Sequence, residues 1–155
     1  MKPVIGKKNR QFKQGIFTPK YPDKYRGSLP IYYRSNMELK VLRMLDNNSN
    51  IITYGSESVV IPYTSPLDNR LHRYFVDMVA ALKDKEGNIK KLLIEVKPLK
   101  QTQPPVFSNR KSNKTLLYEN KQYALNMAKF SAAKQWCEKN NYTFLILTER
   151  EIAPN

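Results

Sequence analysis

Arg73-Tyr74-Phe75-Val76-Asp77-Met78-Val79-Ala80-Ala81-Leu82 and Ile89-Lys90-Lys91-Leu92-Leu93-Ile94-Glu95-Val96-Lys97-Pro98 are the two runs that decide the fold. Between them, Asp84-Lys85-Glu86-Gly87-Asn88 has the composition of a hairpin turn. The first run predicts a strand over Arg73–Leu82. The second predicts a strand over Ile89–Lys97, stopped by Pro98. Leu92-Leu93-Ile94 followed by Val96 is almost unbroken in apolar residues, which points to a strand buried on both faces. Two acids interrupt these runs. An ionised carboxylate in such surroundings is costly unless it is paired or bound to a metal. The hairpin brings Asp77 toward Glu95, and the strand period of two puts Glu95 and Lys97 on one face.

On the N-terminal side, Ser35-Asn36-Met37-Glu38 reads as a capping box. With Met37, Val41, Met44 and Leu45 at helical spacing, it predicts a helix over 36–47, ended by the polar run Asn47–Asn50. Ile51–Tyr54 and Ser58–Pro62 read as short strands, and Pro62, Pro66 and Asp68-Asn69 mark turns. On the C-terminal side, residues 99–113 read as a polar loop containing Pro104-Pro105. A long helix is expected over 114–140, with an apolar stripe of Leu117, Ala124, Met127 or Ala128, Phe130 or Ser131, and Trp136. Tyr142–Leu147 is a last strand that can return parallel through a right-handed crossover. The expected fold is α/β: a small mixed sheet flanked by helices over residues 35–155, preceded by an extended basic arm over 1–34.

The 155 residues carry 27 Lys+Arg against 13 Asp+Glu, a net charge of +14. Such a surplus favours a polyanion as partner, most simply nucleic acid. Residues 1–34 hold nine basic groups, among them Lys7, Lys8, Arg10, Lys13 and Arg34, against Asp23 alone. One reading of this arm is contact with phosphate; the other is a solubilising or partner-docking tail. Its aromatics, including Phe17, Tyr25 and Tyr33, are anchors that would pack part of it along the domain. No apolar run is long enough to cross a membrane and no apolar leader is visible, so the chain reads as soluble and intracellular.

Several chemistries are excluded. His72 is the only histidine and Cys137 the only cysteine, so two-histidine zinc sites and thiolate clusters cannot form. No glycine-rich phosphate loop occurs, which argues against a nucleotide cofactor. His72 reads as an ordinary polar residue entering a strand, and Cys137 as packing. What remains is Asp77, Glu95 and Lys97. Two carboxylates with a backbone carbonyl and water make a hard oxygen site suited to Mg²⁺. A nearby lysine can orient a water or stabilise charge developing on phosphate. These are parts for phosphodiester hydrolysis. The competing account is a structural salt bridge among the same three residues. The Glu-x-Lys spacing also occurs at Glu38–Lys40 and Glu119–Lys121, but only Glu95–Lys97 sits on an apolar strand.

Asp77, followed after 17 residues by Glu95-Val96-Lys97, with helical Glu38 upstream, resembles the PD-(D/E)xK nuclease superfamily; Val76 stands where the motif's name has Pro. Five segments resemble the head completion nucleases of T4-type tailed phages: Tyr33–Glu38, Tyr54–Glu57 with Val60–Tyr63, Arg73–Asp77, Ile94–Pro98 and Gln101–Pro105. The similarity extends, more distantly, to the endonuclease subunit of Tn7-type transposons. The resemblance implies a restriction-endonuclease-like core and Mg²⁺, with Mn²⁺ able to substitute. It implies endonucleolytic cleavage or end trimming of double-stranded DNA during phage head completion. Portal, neck or head completion proteins would be partners, in the virion head and, during assembly, the host cytoplasm. In the alternative, the protein is a virion assembly or plug protein that binds DNA and the portal vertex. By the same resemblance Asp77, Glu95 and the Val96 carbonyl bind metal, Lys97 assists the attacking water, and Glu38 completes the acidic site rather than only capping its helix. Arg73 and Lys100 join the arm in holding backbone phosphates without reading bases. Gln101–Pro105 would shape the mouth of the site. Gln122 either supports it or is plain helix surface.

Overall fold

The computed structural model describes residues 14–152. Lys7, Lys8, Arg10 and Lys13 lie outside the described residues. The elements run β1 (Gly15–Phe17), β2 (Ile31–Tyr33), α1 (Asn36–Asn47), β3 (Ile51–Ser56), β4 (Val60–Thr64), β5 (Leu71–Phe75), β6 (Met78–Lys83), β7 (Ile89–Val96), α2 (Asn113–Asn140) and β8 (Thr143–Leu147), with short 3-10 turns at Pro22–Lys24 and Leu99–Thr102. The central sheet has the order β3-β6-β7-β8; β3, β6 and β7 are antiparallel neighbours, and β8 joins β7 in parallel after the α2 crossover. This is the mixed α/β architecture expected. Two antiparallel pairs, β1–β2 and β4–β5, pack beside it.

Helix α1 begins where the capping box places it. Ser35 Oγ accepts from Glu38 N–H at 3.1 Å, and Glu38 Oε2 accepts from Arg34 N–H at 2.9 Å, one residue earlier than the usual reciprocal bond. Its far end is held by the segment before it. The Lys24 ammonium donates to the carbonyls of Leu45, Asp46 and Asn48 at 2.9, 2.7 and 2.8 Å, occupying C-terminal acceptors that the helix itself leaves open. Buried Asp46 in turn accepts from Lys20 N–H, Tyr21 N–H and Tyr54 Oη at 2.8, 3.3 and 3.0 Å. From residue 14 onward, therefore, the basic segment is integrated with the core: Phe17, Tyr25 and Ile31 are buried in it.

Strand alternation divides the interior in two. Ile94 and Val96 of β7 face one core with α1, β3 and the N-terminal segment, while Leu93 faces a second with Tyr63, Tyr74, Val76, Ala133 and Cys137. Val41 and Leu42 anchor α1 in the first core; truncating Leu42 to Ala would cost ~2–5 kcal/mol. The α2 stripe differs from the one read in the sequence. Asn126, Phe130, Ala133 and Cys137 are its buried residues, and Leu117 is 57% exposed. All four buried residues lie in the second half of this 28-residue helix or at its midpoint. Asn141 closes the helix in the left-handed region (φ 59°), with Tyr142 N–H donating to Cys137 O.

The run read as one strand over Arg73–Leu82 is two strands, broken at Val76-Asp77. Val76 N–H donates to Val59 O and Asp77 O accepts from Glu57 N–H, so the chain passes here from the β4–β5 pair to the central sheet. The apolar side chains on both sides of the break conceal it in the sequence.

Candidate active site

The break is where the residues singled out in the sequence gather. The β6–β7 ladder starts at Met78 opposite Ile94, leaving Asp77 one residue beyond it. There Asp77 Oδ2, rather than a main-chain carbonyl, accepts from Val96 N–H at 2.8 Å. The adjacent residue on β7, Glu95, is 4% exposed. Its Oε2 accepts from Tyr74 Oη at 2.6 Å, and its Oε1 lies 3.4 Å from Lys97 Nζ. Both contacts lie on the Leu93 side of the sheet, toward α2. Asp77, Glu95 and Lys97 thus converge at the end of β7, as their spacing predicted.

Burial pushes Asp77 well above the ordinary carboxylate range, and Glu95 and Glu38 push it further; Val96 N–H and Lys97 only partly oppose them. Burial also raises Glu38, with Arg34 opposing and Glu57 and Glu95 adding to the rise. The phenol of Tyr74 is raised by burial first and then by the Glu95 charge, so it stays protonated and remains a donor. Glu95 and Glu38 thus add negative charge at Asp77 that Lys97 offsets only in part. Among the described residues, no three Asp, Glu, His or Cys side chains stand together as a ready metal-binding group. The donor set nearest to one is Asp77 and Glu95. Asp77 Oδ1 has no donor among the described residues, and both residues offer the hard oxygens that a divalent cation prefers. The excess of carboxylate fits such a cation.

The other expected residues divide. Glu38 is engaged in helix capping, yet its charge is felt at both Asp77 and Glu95. Arg34 pairs with Glu57. Arg73 is exposed on β5, its guanidinium 5.6 Å from the centre of the Phe75 ring. Lys100 lines a cleft beside α2, together with Gln101, Gln103, Pro104, Pro105 and Gln122. His72, on β5, meets Asp68 at 2.8 Å. Buried Cys137 packs in the second core, and burial raises its thiol.

Two residues of the site carried no signal in the sequence. In the sequence Tyr74 is indistinguishable from strand filling, although its hydroxyl holds Glu95. Lys129, one of many lysines, sits with its Nζ 5.6 and 5.9 Å from the ring centres of Tyr74 and Tyr63. Burial and the Lys97 charge lower its pKa, while Glu95 and Asp77 oppose that shift. It makes no ion pair among the described residues. A lysine flanked by apolar residues on a helix gives no pattern that distinguishes it from surface.

Residues 48–149 match the TnsA-like endonuclease N-terminal family. The chain is also 40% identical, over 139 residues, to the head completion nuclease of Enterobacteria phage T4, an alignment covering 87% of this chain and 90% of that protein.

Proposed function

The chain belongs to the TnsA-like endonuclease N-terminal family, and from that premise we infer that it is a metal-dependent DNA endonuclease, or end-trimming nuclease, acting in phage head completion. The observation that carries this reading is the meeting of Asp77, Glu95 and Lys97 at the end of β7. A divalent cation held by Asp77, Glu95 and the Val96 carbonyl would supply an activated water and offset negative charge on the phosphate. The protein's own groups do the rest. Tyr74 Oη fixes Glu95 through Oε2, which leaves Oε1 directed to Lys97. Lys97 Nζ donates to the attacking water or to a non-bridging phosphate oxygen as charge develops there. Lys129, half-buried and without an ion pair among the described residues, receives the neighbouring phosphate. Glu38 adds negative charge that strengthens cation binding. Arg73, Lys100 and the basic residues before position 14 hold the backbone independently of sequence.

The test is cleavage of linear and supercoiled duplex DNA with Mg²⁺ or Mn²⁺. Wild type should cut, and Asp77→Ala should bind DNA but not cut it. Equal cleavage by the two proteins would remove the assignment. Virion heads lacking the protein provide the biological counterpart. Restoration of infectivity by Asp77→Ala would mean that binding at the portal vertex, rather than cleavage, is the essential task.

A further inference from the structure

Between the segment 100–111 and the first half of α2 lies a cleft of about 330 Å³, within the range of small-ligand pockets. Asn126 forms part of its wall. This residue is 4% exposed and sits on the buried stripe of α2, where Phe130, Ala133 and Cys137 are its companions. Its side chain makes no hydrogen bond within the protein among the described residues. No fully buried side-chain nitrogen or oxygen there lacks a partner, so the Asn126 amide keeps its opening to the cleft. An amide at a position suited to Leu or Ala lowers stability unless something binds it. The wall adds further amides, Gln103 and Gln122, and two phenols, Tyr118 and Tyr123. Tyr118 is 63% exposed. Lys100 supplies positive charge, while Lys111 is already committed to Glu119 and the Val106 carbonyl.

The cleft adjoins the catalytic strand along two chains of residues. Lys100 follows Lys97 by three positions, through a 3-10 turn that packs on α2. Asn126 precedes Lys129 by three positions on α2, a rise of about 4.5 Å. A phosphate at Lys129 would therefore place its nucleotide beside the opening. A cleft with one buried amide, further amides on its wall and an exposed aromatic ring matches the edge and face of a nucleobase. In a duplex, both are occupied by pairing and stacking.

We propose that this cleft receives an unpaired nucleotide next to the cleavage point, so that the protein prefers DNA ends or junctions carrying single-stranded residues. The proposal rests on the nuclease reading and specifies its substrate. Asn126, Gln122 and Gln103 bond the base edge; Tyr118 stacks on its face.

The test measures binding of the full chain in EDTA to a blunt duplex and to the same duplex with a short unpaired end bearing a fluorescent adenine analogue. Wild type should bind the second roughly tenfold more tightly and quench the analogue. Asn126→Leu and Tyr118→Ala should each bring the affinity ratio toward one, and Tyr118→Ala should abolish the quench. Tyr118 is exposed, so its variant keeps the test decisive if the buried substitution fails to fold. Equal affinities in wild type, or a ratio unchanged in Tyr118→Ala, would overturn the proposal and leave the cleft to a partner protein. Cleavage of blunt duplex without any such preference removes the cleft alone. Failure to bind or cut any DNA removes the nuclease reading with it.

Discussion

Asp77→Asn should raise the stability of the metal-free protein and abolish its stabilisation by metal. Burial, Glu95 and Glu38 hold the Asp77 pKa well above its ordinary value. An acid raised in this way contributes its full stability below the unfolded pKa of ~3.9 and loses it as pH rises through the folded value. At neutral pH its charged form is therefore a destabilising element. Asn removes the charge and keeps an oxygen for Val96 N–H, now 2.8 Å from the carboxylate, so the corner at Val76-Asp77 retains its bond. In EDTA near pH 7.5 the variant should melt above wild type, and the gap should close as the pH falls toward the unfolded carboxylate range. Metal reverses the order. At a hundredfold excess over Kd, wild type gains ~2.7 kcal/mol. For a chain of this size that is roughly 5–10 °C. The variant, having lost one of two carboxylate ligands, gains little. Circular dichroism melts with EDTA, Mg²⁺ and Mn²⁺ check both halves. The reasoning is refuted if Asp77→Asn melts at or below wild type in EDTA, or if Mg²⁺ raises both proteins equally.

Three further outcomes are expected. Tyr74→Phe removes the 2.6 Å bond to Glu95 and should lower kcat by ~10–100-fold, with a larger loss at limiting Mg²⁺ that excess metal partly restores; steady-state cleavage across metal concentrations checks this. Asp46→Ala leaves Lys20 N–H, Tyr21 N–H and Tyr54 Oη without their acceptor and should cost ~2–4 kcal/mol in urea unfolding. Lys129→Met should weaken DNA binding and reduce the dependence of log Kd on log salt concentration by about one unit, the loss of one phosphate contact.

How much could be read from the chain follows from which forces are local. Helix 36–47 was legible because Ser35 and Glu38 announce its start within four residues and Asn47–Asn50 its end. β7 and its turn were legible because an apolar run, a Gly at φ 84° and Pro98 lie in sequence order. The break at Val76-Asp77 was hidden, because the bonds that cause it come from Val59, Glu57 and Val96, far along the chain. The strands β1 and β2 were hidden as well: at three residues each they carry no period, and only the aromatic anchors hinted at packing. At the site, Asp77, Glu95 and Lys97 stood out because charge is unusual within apolar strands. Tyr74 and Lys129 did not, because each is ordinary where it sits and acquires its position only from the fold.

The hold of Lys24 and Asp46 on the end of α1 sets a limit on dissecting the protein by truncation. Deleting residues 1–13 removes five basic groups, Lys2, Lys7, Lys8, Arg10 and Lys13. A cut after residue 24 would also open the far end of the helix whose first turn carries Glu38, and strip Phe17 from the core. A shortened chain of that kind would lose cutting through disorder of the helix, and the loss would be misread as a failure to grip DNA. Charge-neutralising substitutions at individual lysines before residue 14 separate the two effects where deletion cannot.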